Sequence, residues 1–198
     1  KGDDDEDAGA SASSLDAAAH RLNTWVAITV ALLATFLGIC KVKDDNIVQA
    51  MQQAQADRLD DWSFYQARNL REEVMHATAA QVQLSGEVAP PAEREHFTEV
   101  AARYEKMAEE QAKKKADLEK EARAAQERYD ALNYRDDQFD LADALGALAV
   151  SLLAMTALTH KRALYFVALV PTALCVVMGV SGLAGWHIHP DTIAQWLS

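Results

Sequence analysis

Three stretches of this chain carry at most one formal charge over the length of a bilayer's hydrocarbon core, and that constrains everything else about its fold. Residues 22–40 are nineteen in a row without a charge, bounded by Arg21 and Lys41. Residues 141–159 repeat that length with a single acid, Asp143, and residues 163–186 run for twenty-four with none. At about 1.5 Å per helical residue each run comes close to, or exceeds, the roughly 30 Å of a hydrocarbon core. No water is available there, so every backbone N–H and C=O must be satisfied inside its own segment, and all three runs are predicted to be helices. Trp25, Trp186 and Trp196 lie at or just beyond the span ends, where an amphipathic indole suits a membrane interface. The turn His160-Lys161-Arg162 is so short that the second and third spans must be antiparallel neighbours.

The charge missing from the spans is concentrated elsewhere. Of the 30 acidic residues, only Asp143 and Asp191 lie outside the first 22 residues and the stretch 41–140. The opening Lys-Gly-Asp-Asp-Asp-Glu-Asp and the small residues after it lack any apolar period, so residues 1–21 are expected to form a disordered acidic tail. They also lack the basic start and apolar core of a secretory signal.

Residues 41–140 divide at Ser85-Gly-Glu-Val-Ala-Pro-Pro-Ala92, with Pro91 placed to open a helix. Downstream, Phe97, Val100, Tyr104, Met107, Leu118, Ala122, Ala125, Tyr129 and Leu132 recur at about 3.5-residue spacing, interrupted near Gln111 and Lys114. Upstream, Ile47, Met51, Leu59, Trp62, Phe64, Tyr65, Leu70 and Val74 are the apolar set, in a stretch without Gly or Pro. As helices the two arms would measure about 66 Å and about 73 Å. Matched arms that leave the first span and return to the second predict an all-α membrane protein. It has three transmembrane helices, a long antiparallel coiled-coil hairpin over 41–140 with its tip near 85–92, and a short interfacial tail over 187–198. Glu109 with Lys113, Glu110 with Lys114 and Glu119 with Arg123 stand four apart in the favourable order on the outer face. A lone pair of such arms buries little apolar surface, so a homo-oligomer is expected to complete it.

Little in the sequence points to chemistry. There is no Gly-rich phosphate loop, Gly-x-Ser-x-Gly elbow or His-Glu-x-x-His motif, so no enzyme, catalytic residue or cofactor is expected. Cys40 and Cys175 read as small buried residues. His187 and His189, with Pro190 and Asp191 after them, lack the further ligands zinc requires, and no metal is expected. Asp143, about one turn inside the second span, is either an intramembrane functional carboxylate or an interfacial acid at a helix N-terminus. Pro171 is expected to kink the third span. Ala27 with Ala31, Ala34 with Gly38, Ala142 with Gly146 and Ala147 with Ser151 are four-apart small pairs that permit close helix packing. Trp62, Phe64, Tyr65 and Arg68 form a patch that serves either the seam or contact with a partner. A net charge of -11, with Lys113-Lys114-Lys115 hemmed in by acids, excludes a nucleic-acid partner.

The stretch Lys41-Val-Lys-Asp-Asp-Asn-Ile-Val-Gln-Ala-Met-Gln-Gln-Ala-Gln-Ala-Asp57, followed by Trp62-Ser-Phe-Tyr-Gln-Ala-Arg68 and Arg71-Glu-Glu, resembles a family of bacterial membrane proteins known as a domain of unknown function, DUF4337. The likeness covers almost the whole chain after the acidic tail. It implies a bacterial inner-membrane location and the same three-span plan, and it brings no activity and no catalytic residue. The basic turn Lys161-Arg162 favours a cytoplasmic turn and a periplasmic hairpin, while Lys41 and Lys43 argue for the reverse. The expected function is a non-enzymatic, membrane-anchored scaffold or accessory subunit that self-associates or binds another membrane protein. The alternative is a small oligomeric channel or transport element using Asp143 and the Pro171 kink.

Overall fold

The structure, a computed structural model, describes residues 3–186, with side chains from Ala17 onward. Three α-helices and no strand occur among the described residues: α1 Asp3–Val88, α2 Arg94–Thr159 and α3 Arg162–Ala184. Each contains a segment long and apolar enough to cross a membrane. The apolar and charged stretches of α1 and α2 are continuous helix, because composition changes abruptly at residues 41 and 140 while nothing there interrupts the backbone. α1 also takes in most of the tail expected to be disordered. The sequence favours this, since Ala8, Ala10, Ala12 and Ala17 to Ala19 are strong helix formers.

The turn between α1 and α2 is later and tighter than the sequence suggests. α1 continues through Ser85 and Gly86, the turn occupies residues 89–93, and Pro91 lies within it rather than opening α2. Its carbonyls are used locally: Glu93 N–H donates to Pro90 O at 2.9 Å and Arg94 Nε donates to Ala89 O at 3.0 Å.

The chain forms two compact units, Ala50–Ala131 and the combination of Lys1–Gln49 with Leu132–Ser198. In the first, the inward residues of α1 are Met51, Ala54, Arg58, Asp61, Tyr65, Arg68, Glu72, Met75, Ala79, Val82 and Gly86, buried or half-buried at alternating steps of three and four. Those of α2 include Ala101, Tyr104, Ala108, Gln111, Lys115, Leu118, Ala122, Ala125 and Tyr129 at the same rhythm. Such a 3.5-residue period is what keeps one face of a helix against a neighbour. The expected interruption near Gln111 is a change of residue type with no change of spacing. Gln111 is buried and accepts from Arg68 Nη1 at 2.9 Å, while Lys115 Nζ pairs with Glu72 at 2.6 Å and donates to Asn69 Oδ1 at 3.0 Å.

In the second unit, Leu33, Ala142, Ala149, Cys175 and Met178 make one buried cluster and Val26, Leu153 and Ala168 another. α2 passes to α3 in two residues, His160 in the left-handed region (φ 52°) and Lys161 extended. Close approach depends on glycine at three points. A Cβ on Gly146 would lie 2.7 Å from Leu37, one on Gly179 2.6 Å from the Phe36 ring, and one on Gly182 2.8 Å from the ring of the fully buried Phe139. Trp25, Leu32, Ile39, Leu148, Met155, Phe166, Val170 and Leu174 point outward instead. A patch of that extent is costly in water and suits contact with lipid.

Gly182→Ala should lower the stability of the detergent-solubilised protein by about 1–3 kcal/mol, because Phe139 has no room to yield. Gly38→Ala, where nothing lies within 4 Å, should leave the thermal midpoint unchanged. Equal melting of the two variants would contradict this packing.

Candidate functional site

Among the described side chains, the acidic residues of the apolar unit gather at one of its ends. α1 contributes Lys41, Asp44 and Asp45, α2 contributes Arg135, Asp136, Asp137, Gln138, Asp140 and Asp143, and α3 arrives there with its C-terminus. Asp44 stands in the inward phase of α1, one turn before Ile47, and is only 3% exposed. One of its oxygens accepts from Lys41 Nζ at 2.7 Å, a bond that pushes the lysine pKa upward. The other, Oδ1, is buried without an ordinary N–H or O–H donor. Asp136 lies close enough to Asp44 for the two carboxyls to hydrogen-bond when one of them is protonated. Burial, then that bond, then the charges of Asp140, Asp44 and Asp137 push the Asp136 carboxyl up to about 6. Asp140 is raised as well, mainly by burial and the Asp44 charge, with Lys41 opposing.

The same end closes α3. Gly185 adopts φ 68°, which lets Trp186 N–H reach back to Ser181 O at 3.0 Å and leaves the Gly182 carbonyl without its helical donor. α2 supplies the missing donors. Arg135 Nη2 and Nε donate to Gly182 O at 2.8 and 3.2 Å, and Gln138 Nε2 donates to Trp186 O at 2.8 Å. A cation at a helix C-terminus also offsets the negative end of the dipole. The arrangement crowds carboxyls together beside a cation-capped helix end and raises the pKa of Asp136. It presents no nucleophile paired with a base, and among the described residues no group of three or more His, Cys, Asp or Glu could hold a metal ion.

The residues singled out in the sequence are distributed unevenly. Asp143 joins this end, half-buried, and its charge acts on Asp140 and Lys41. Pro171 is buried in mid-α3, which runs through it as one helix, and it stands about two turns of helix from the Asp143 level. The two are not brought to one place. The span hydroxyls bond their own helices: Thr35 to Ala31 O, Ser151 to Ala147 O, Thr156 to Leu152 O, Thr172 to Ala168 O and Ser181 to Val177 O. Of the small residues, Gly146 packs inside, whereas Ala27, Ala31, Gly38 and Ser151 face outward.

In the other unit, Tyr65 and Arg68 face α2. Lys115 Nζ lies 5.9 Å from the Tyr65 ring centroid, Trp62 sets its edge against Tyr65, and only Phe64 of the patch is strongly exposed. Glu119 pairs with Arg123 at 2.7 Å; Glu109 with Lys113 and Glu110 with Lys114 form no ion pair among the described residues. His187, His189, Pro190, Asp191 and Trp196 lie outside the described residues.

Sequence reasoning missed Asp44, Asp136, Arg135 and Gln138. The usable signal was spacing: Asp136 and Asp143 continue the seven-residue series of Ala122 and Tyr129, so acids occupy inward positions.

Asp136 binds its proton more tightly when folded, near 6, than at its ordinary value of 3.8, so the folded state holds more protons between those values. Stability should therefore fall as pH rises from about 4 to about 6 and be flat in this contribution above that. Thermal unfolding across pH should show the fall in the wild type and a reduced slope in Asp136→Asn. An identical pH profile in the variant would exclude a raised pKa at Asp136.

Comparison with known proteins adds one assignment, since no curated protein and no solved structure matches the chain. The model of the family described as "Domain of unknown function (DUF4337)" matches residues 22–185, which takes in the whole of both units' helical packing described above, and the chain belongs to that family.

Proposed function

We propose that this chain is a non-enzymatic, membrane-anchored scaffold or accessory subunit that works by self-association. In this reading the three apolar helices lie in a bacterial inner membrane, and residues 41–140 form an antiparallel coiled-coil hairpin outside it, on the periplasmic side. The observation that carries the reading is an apolar stripe with nothing against it. Leu59, Leu70, Val74, Leu84 and Val88 of α1 are 55, 66, 54, 63 and 87% exposed. At about 100° per residue they fall within an arc of about 80°, centred opposite the face holding Tyr65, Arg68, Glu72, Met75 and Ala79. α1 thus has two opposite faces, a mixed polar one engaged with α2 and an apolar one presented outward.

A second copy suits such a stripe. Apolar positions at heptad-like intervals on a long helix are the common means by which helical rods pair, and a symmetric pairing lets one stripe serve both partners. The seam within the chain, built on alanines and polar pairs, buries too little apolar surface to fix so long a pair by itself, and a partner rod supplies more. The outward face of span one, with Ala27, Ala31 and Gly38, suits close contact between copies in lipid as well.

The detergent-extracted protein should run as one defined oligomer by light scattering or native mass spectrometry. Leu70→Glu combined with Val74→Glu should weaken association at least about a hundredfold while leaving helix content intact. A wild-type protein that stays monomeric at all concentrations in mild detergent would refute the reading.

A further inference from the structure

The opposite end of the apolar unit carries a feature that self-association does not use. A cavity of about 470 Å³ opens there between the start of the apolar part of α1 and the start of α3, lined by Arg21, Leu22, Trp25, Arg162, Tyr165 and Phe166 among others. Its composition is divided. The walls are aromatic and aliphatic, with Trp25 and Phe166 61% and 66% exposed, while both charged residues of the lining are arginines. Neither guanidinium has an ion-pair or hydrogen-bond partner among the described residues. Other positive features lie close by: Lys161 at the N-cap of α3, and the open first amides of a helix whose N-cap makes no side-chain bond. The frame is held in place, since Tyr165 Oη and Thr29 Oγ1 are 3.1 Å apart and Asn23 Nδ2 and His160 Nε2 are 3.3 Å apart across the same end.

We propose that this cavity is a binding site for an anionic glycerophospholipid, with its phosphate between Arg21 and Arg162 and an acyl chain along Trp25 and Phe166. The two halves of the lining match the two halves of that ligand. A planar guanidinium forks onto phosphate oxygens with paired, charge-assisted hydrogen bonds, and two of them from different helices bracket one diester. An apolar groove leading away from the arginines suits a hydrocarbon chain and disfavours a free, fully hydrated anion. The location at the end of three apolar helices places the arginines where headgroups lie and the aromatics where chains begin. A zwitterionic lipid brings its own cation into the space of the two arginines and is disfavoured by repulsion. The proposal does not depend on the oligomeric state.

The test uses the full chain in a neutral detergent. Phosphatidylglycerol should raise the thermal midpoint saturably, whereas phosphatidylcholine at the same mole fraction should not. The Arg21→Gln, Arg162→Gln double variant should bind phosphatidylglycerol roughly ten- to thirtyfold more weakly. Inorganic phosphate at millimolar concentration should leave the midpoint unmoved. Equal stabilisation by the two lipids, an undiminished response in the double variant, or full reproduction of the shift by inorganic phosphate would each overturn the assignment. Should the double variant fail to fold, phosphatidylglycerol with brominated chains provides the second readout. It should quench the fluorescence of the wild type more than that of Trp25→Phe, and equal quenching would place the lipid elsewhere.

Discussion

Unsatisfied backbone is what this chain has to avoid, and its architecture follows from how it does so. Within an apolar run of nineteen or more residues the helix is the one arrangement that pairs each N–H and C=O inside the segment, so the difficulty moves to the ends. α1 and α2 meet it by not ending: each leaves its apolar part as uninterrupted helix. α3 does end, and the carbonyl it leaves open at Gly182 is met by Arg135 from α2, while Gln138 donates to Trp186 O just beyond the cap. Those two side chains can reach because Gly182 allows the Phe139 ring to lie directly against α3. Glycine at 182, a ring at 139 and donors at 135 and 138 are one solution to one problem.

The acid pair belongs to the same setting. Capping α3 commits the first polar turns of α2 to the end of the bundle, and the continuing 3.5-residue rhythm then turns Asp136 inward toward Asp44. Burial and the neighbouring carboxylates oppose a second negative charge there, and the pKa of Asp136 is raised. Lys41 cannot resolve this alone, because it is committed to Asp44 and lies near Asp45 at 3.6 Å. The cost of one feature thus sits beside the gain of another, within about one helical turn.

Much of this was legible beforehand, and the rest was hidden for identifiable reasons. Lack of charge over bilayer length pointed to three apolar segments, and each of the three helices contains one long and apolar enough to cross a membrane, because that signal is local and large. The turn at 160–162 was legible for the same reason. The orientation of the α1 arm was not: Leu59, Phe64, Leu70 and Val74 look like core by hydrophobicity, yet the structure turns them out and puts Arg58, Arg68 and Glu72 in. Apolarity misled here because the inward face is set by the phase of the period, and that phase is carried by Met51, Ala54, Met75 and Ala79, small or flexible residues that score weakly one at a time. Asp44 and Asp136 were missed because a pair so far apart in sequence gives no local pattern; only their shared phase betrays them.

That inversion has a physical consequence. A partly buried ion pair such as Lys115 with Glu72 contributes little net stability after desolvation, but it penalises any shift of one helix against the other, since a slip would leave both charges unpaired. Alanines at 101, 108, 122 and 125 let the two backbones approach closely while burying little area each. A seam made of these parts is strong in register and weak in cohesion. The leucines and valines that could have strengthened it stand on the opposite face, where they do nothing for an isolated chain. With its large apolar residues outward and its charges inward, this seam fixes the alignment of its helices more than it holds them together.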